Sequence, residues 1–313
     1  MLSGMAAALV ILGALATIGR SFLMRFLGLT EKQKTLSLTE LSSPSPHPIE
    51  FAHSDGVNIA YNVQGKDQPT LLVSPGIISN LHVSSNLPPI KNTMESLAKF
   101  SRVINFDKRG QGLSDPVSEV ATIAERVRDI ESVANATGSQ QFYLMGISEG
   151  GPMSIQFAAE NSDRVKGLIL FGTTPRFTRS EDYPIGLSER ALDAIGTNWG
   201  DAVARDILFP SISREFMDDE TYRGFEKLLA DRRSIIQIVE YMKTLDVRKL
   251  LADIKCPTLV IHFSGDLAVP QRMGRYLADR IPNSEFLEIA GVDHCDLGNA
   301  PKAIDAIRVF MDG

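Results

Sequence analysis

Ser148, Asp266 and His294 are the residues of this 313-residue chain whose types and order could carry nucleophilic chemistry. A serine hydroxyl is a poor nucleophile near neutral pH. It attacks a carbonyl when a histidine takes its proton and an acid fixes that histidine's tautomer and steadies its charged form. Ser148 lies in "FYLMGISEGGPMS", between Gly146 and Gly150, with Gly151 directly after. A nucleophile held between strand and helix needs a backbone with φ above zero, and side chains two residues away collide there. Glycine at 146 and 150 answers that need. A tetrahedral oxyanion would need two amide donors. Glu149, next to the nucleophile, supplies one; in "SPGIIS" Pro75 has no N–H, so the second falls to Ile77.

Other residues compete for these roles. His262 sits inside "LVIHFSG" and reads as a packed strand histidine, while His47, His53 and His82 precede the serine. Asp293 and Asp296 flank His294 as rival acids, but a neighbour in sequence rarely points at the same ring. They read as loop residues.

The elements that must position this set follow from the hydrophobic pattern. After a hairpin signal at Asp55-Gly56 come "TLLVSPG", "SRVINFDKRG", "QFYLMG", "VKGLILFG", "PTLVIHFSGD" and "SEFLEIAG". Helix-like stretches such as Ile123 to Ala136 and Gln271 to Arg280 separate most of them. This alternation predicts an α/β fold with a mostly parallel sheet covered on both faces. Chemistry in such sheets gathers at the carboxyl ends of strands, where Ser148, Asp266 and His294 all fall. Between residues 173 and 245 the strand rhythm stops and helical patterns surround the only tryptophan, Trp199. The expected organisation is a core of 48–172 and 246–313, with a helical cap of 173–245 roofing an apolar pocket.

The order Ser, Asp, His, each after a strand, is that of an α/β-hydrolase triad. "SPGIISNL", "FDKRGQGLSD", "GISEGGPMS", "DYP", "NWGDA", "DVRKLLADIKCPTLVIHFSGD" and "AGVDH" together resemble one branch of the α/β-hydrolases. That branch is found fused to, or encoded beside, class III adenylate and guanylate cyclase domains. The likeness runs from about Pro48 to about His294. It implies the α/β-hydrolase fold and carries the triad over as Ser148, Asp266 and His294. No cyclase domain is expected in this chain.

Composition narrows the function classes. A net charge of −6 argues against nucleic acid as a partner. Two cysteines, Cys256 and Cys295, match neither a disulfide framework nor a metal motif. No metal or other cofactor is expected. "FDKRGQGLSD" lacks Walker spacing; Asp107 and Arg109 read instead as an ion pair fixing the loop beneath the site. The expected activity is hydrolysis of small-molecule carboxylic esters through an acyl-enzyme. A lactonase, a carbon–carbon bond hydrolase and a ligand-sensing receptor are alternatives, and nothing in the pattern indicates an oligomeric state.

Residues 1–30 read as a membrane-anchor helix and 31–47 as a linker ending in Pro44, Pro46 and Pro48. Leu2 to Gly19 carries no charge and would span about 27 Å as a helix. Arg20, Arg25, Lys32 and Lys34 follow it, which places the hydrolase domain in the cytoplasm by the positive-inside rule. Cleavage of a signal peptide near Ala14-Leu15-Ala16, with export, is the rival.

Overall fold

A computed structural model describes residues 35–65 and 68–313, so the expected apolar helix of residues 1–30 lies outside the described residues. Eight strands form one sheet: β1 (Glu50–Ser54), β2 (Val57–Gly65), β3 (Thr70–Ser74), β4 (Arg102–Phe106), β5 (Phe142–Ile147), β6 (Val165–Phe171), β7 (Thr258–Phe263) and β8 (Ser284–Ile289). Their spatial order is β1-β2-β4-β3-β5-β6-β7-β8. β1–β2 and β2–β4 pair antiparallel, and the remaining neighbours pair parallel. Asp55 and Gly56 turn the β1–β2 hairpin at φ 48° and 81°, the positive values that a two-residue hairpin demands.

Central strands buried on both faces need continuous apolar runs, and β3 and β7 are buried at every position. Helices Ile123–Ala136 and Gly150–Glu160 cover one face, with Ile130, Val133, Ile155 and Phe157 packed against Leu72, Leu144 and Val260. Helices Pro88–Ala98 and Pro301–Asp312 cover the other through Leu97, Ala303 and Ile307. The order of strands and helices is that of the α/β-hydrolase fold.

Between β6 and β7 the chain forms helices Glu189–Thr197, Arg205–Leu208, Asp219–Leu229 and Arg232–Thr244. Ser188, Asp218 and Asp231 cap three of their N-termini with side-chain oxygens. Leu192, Trp199, Ile235, Val239 and Met242 share a buried cluster, and the Trp199 indole donates to the carbonyls of Glu226 and Ala230.

Two sequence expectations need correction. Residues 35–47 do not behave as a linker. Ser37 and Glu40 form a capping box that starts helix Leu38–Leu41, and Leu41 is fully buried against Val83, Phe209 and Tyr222. "SLTE" carries the capping-box spacing, a signal that the prolines further on obscured. Nor do Asp107 and Arg109 pair with each other. Asp107 accepts the amides of Leu81 (3.1 Å) and Leu113 (2.9 Å), and burial pushes its carboxyl up to about 6 against those bonds. Arg109 grips Asp129 with Nε (2.9 Å) and Nη2 (2.5 Å).

Both members of the Arg109–Asp129 pair are almost wholly buried. Removing one partner strands the other charge in low dielectric. Asp129→Ala is therefore expected to cost about 3–5 kcal/mol in urea unfolding; a loss below about 1 kcal/mol would contradict a desolvated pair.

Candidate active site

β5 ends directly before Ser148, which sits at φ 52°. Its N–H donates to Phe171 O at 3.0 Å, its carbonyl accepts the Gly151 N–H at 3.0 Å, and the Thr173 hydroxyl donates to that same carbonyl. The flanking glycines are forced by close approach rather than by their own φ. A Cβ at Gly146 would come within 2.7 Å of Ser154 Oγ and 2.8 Å of Gly151 Cα. One at Gly150 would come within 2.3 Å of Ser74 O and 2.5 Å of Pro75 O. Real Cβ atoms do not sit that close to backbone, so an alanine at either place would push the elbow off its seat.

Asp266 follows β7 and His294 follows β8. His294 Nδ1 lies 2.7 Å from Asp266 Oδ2, with both groups buried. The other carboxylate oxygen accepts the amides of Ala268 (2.9 Å) and Val269 (3.0 Å). Burial alone would raise the Asp266 pKa, yet the His294 charge and the hydrogen bonds from His262, His294 and Val269 hold it well below the usual carboxylate range. Burial alone would lower the His294 pKa, but the Asp266 carboxylate, with the adjacent Cys295 sulfur adding to it, raises it well above the ordinary imidazole value.

Ser148 and His294 line one cavity, together with Gly76, Ile77, Trp199, Phe209, Phe225 and Leu229. Among the described residues no hydrogen bond joins Ser148 to His294. Such contacts are often loose in unliganded sites and tighten when substrate arrives. The amides of Ile77 and Glu149 have no hydrogen-bond partner among the described residues. Both are free to donate to a ligand.

The rivals are engaged elsewhere. Asp293 accepts the Ser211 amide at 2.9 Å, and Asp296 accepts from Asn299. His262 is wholly buried on β7, where its Nε2 lies 2.6 Å from Val269 O and 3.5 Å from Asp266 Oδ2. The sequence reading missed that proximity to the acid, and also missed a buried lysine, Lys108, whose ammonium meets Glu149 and the loop of Ile77. Helix Arg205–Leu208 is tied to the site as well, because the backbone N–H of His294 donates to Leu208 O at 2.9 Å. Cys256 and Cys295 are both free. Among the described residues no group of His, Cys, Asp and Glu could hold a metal ion.

An eight-stranded, mostly parallel sheet with a serine elbow and a histidine–aspartate pair at its carboxyl edge defines an α/β-hydrolase. The chain belongs to the serine aminopeptidase S33 family, whose model matches residues 91–298. A pimeloyl-[acyl-carrier protein] methyl ester esterase from Neisseria meningitidis is 27% identical over 195 residues, covering 59% of this chain and 62% of that protein. The match thus spans less than two thirds of that esterase's length. Among solved structures, a bromoperoxidase from Bacillus anthracis superposes with a TM-score of 0.73 at 22% identity, over 85% of this chain and 100% of that one. An esterase from Exiguobacterium antarcticum superposes with a TM-score of 0.72 at 21% identity, over 84% and 99%. At these identities the two structures speak for the fold alone.

Proposed function

We propose that this chain is a serine hydrolase that cleaves carboxylic esters of small to medium size through an acyl-enzyme. The observation that carries the reading is the 2.7 Å bond from Asp266 to His294, which lines one cavity with a serine held at φ 52°. Ser148 Oγ attacks the ester carbon while His294 Nε2 takes its proton. The carbonyl electron pair moves onto oxygen, which receives the N–H groups of Ile77 and Glu149. The tetrahedral intermediate collapses, the carbon–oxygen bond to the alcohol breaks, and His294 returns the proton to the departing alcohol. Water, deprotonated by the same imidazole, then releases the acid and restores Ser148.

Trp199, Phe209, Phe225 and Leu229 give the cavity an apolar wall, which suits an uncharged acyl or alcohol group held out of water. In this reading residues 173–245 act as a cap over a core of 48–172 and 246–313. The methyl ester esterase among the relatives adds support for ester chemistry. Membership of the cyclase-associated branch belongs to the same proposal and rests on motifs such as "GISEGGPMS" and "FDKRGQGLSD". A panel of p-nitrophenyl esters from acetate to octanoate tests the reading. Turnover of the shorter members is expected, and no turnover of any ester, together with no labelling by a fluorophosphonate, would overturn it.

Residues 1–30 are read here as a cytoplasm-facing membrane anchor, on the strength of the uncharged run Leu2 to Gly19 and the cations after it. Among the described residues no helix is long and apolar enough to cross a membrane. Fractionation is expected to find the intact chain in membranes, resistant to carbonate. A soluble, exported product starting near residue 17 would contradict both anchor and placement.

A further inference from the structure

We propose that Lys108 is the positioning residue of the oxyanion hole: its buried ammonium sets the direction and spacing of the two amide donors. The proposal rests on the ester-hydrolase reading and names a residue that reading does not use. Lys108 is completely buried, follows β4, and donates from Nζ to Gly76 O at 2.5 Å and to Ile77 O at 3.3 Å. Its third contact is the Glu149 carboxylate. One cation therefore touches both residues whose N–H groups would receive the oxyanion.

Peptide geometry gives this contact its consequence. In a trans peptide the carbonyl of residue 76 and the N–H of residue 77 point in opposite directions across one plane. Drawing Gly76 O onto the ammonium turns the Ile77 N–H away from it. That N–H has no partner among the described residues, and Ile77 lines the cavity beside Ser148. Gln111 Nε2 adds a second hold on the Ile77 carbonyl at 3.3 Å. The Glu149 side chain, fixed on the same ammonium, pins the residue that carries the other donor.

The charges around the lysine favour the arrangement. Burial draws its pKa down to about 8 against the Glu149 carboxylate, so the ammonium persists at neutral pH. Arg126 Nη1 lies 3.7 Å from the second Glu149 oxygen, and its guanidinium stacks 4.5 Å from the ring centre of Tyr241, on helix Arg232–Thr244. Lys108 and Arg126 face two carboxylates, Glu149 and Asp107, so the cluster is balanced in charge and its effect lies in where the ammonium is fixed. Such preorganised charge is worth most where water is excluded.

The test measures phosphonylation of Ser148 by a fluorophosphonate. The Ser148 oxygen–phosphorus bond forms, the phosphorus–fluorine bond breaks, fluoride leaves, and the hydroxyl proton passes to His294. Lys108→Met alone strands the Glu149 charge, so the double variant Lys108→Met/Glu149→Gln is made beside it; replacing both members of a buried pair is often tolerated. In both variants the maximal labelling rate is expected to fall about tenfold to a hundredfold, with the probe's binding constant within about twofold of the parent and labelling still reaching one per chain. A structural role alone would lower the labelled fraction and leave the rate of the folded fraction unchanged. Parent-like rates in the folded double variant, or a loss confined to the labelled fraction, would overturn the proposal. Failure of the parent chain to label would instead overturn the serine-hydrolase reading.

Discussion

Ser148→Ala is expected to abolish phosphonylation and to lower kcat for a p-nitrophenyl ester by on the order of 10⁶, the scale seen when a triad nucleophile is removed. Loss of the hydroxyl removes the nucleophile that bonds to the ester carbon in the proposed mechanism, so both half-reactions stop together. The fold should not register the change. Ser148 is held through its backbone by Phe171, Gly151 and Thr173, and alanine keeps all three contacts. Urea unfolding within about 1 kcal/mol of the parent is therefore expected. Hydrolysis by the alanine variant within tenfold of the parent would remove Ser148 from the mechanism.

Asp266→Asn is expected to reduce kcat by about 10⁴, because an amide in place of the carboxylate stabilises the wrong imidazole tautomer. It should also move the pH profile. A general base works when neutral, and the Asp266 charge raises the His294 pKa, so activity in the parent is lost as pH falls through a value above about 6.5. Without that charge the acid limb shifts to lower pH. Asp293→Asn and Asp296→Asn should have far smaller effects, since those carboxylates hold Ser211 and Asn299. A larger loss in either would transfer the acid's role.

The fold was legible because its signals are short in range. Strands β3 to β8 lie on the six apolar runs, and Asp55-Gly56 marks the β1–β2 hairpin. Gly146 marks the elbow for a local reason, the closeness of Gly151 and Ser154, whereas Gly150 is required by the backbone of Ser74 and Pro75 from a distant strand end. His294 and Asp266 were legible through their places after strands. What stayed hidden depends on distant pairing. Lys108 in "FDKRGQGLSD" looks like one more loop cation, and only the return of Glu149 to the same place, 41 residues on, gives its charge a purpose. Arg109 paired with Asp129, on a helix the motif does not contain, rather than with Asp107 two residues away. Residues 35–47 misread for a further reason: prolines 44, 46 and 48 suggested extended chain, whereas Leu41 is buried against helices more than 160 residues later.

The acyl-enzyme is the species on which the functional reading turns, and rapid acid quenching of a p-nitrophenyl ester reaction followed by peptide mass spectrometry measures it directly. If Ser148 is the nucleophile, the peptide containing "GISEGG" gains the mass of the acyl group during turnover and loses it as the ester is consumed. An acyl mass on another residue, such as Cys295, or turnover with no acylated peptide at any time, would contradict a serine mechanism at this elbow.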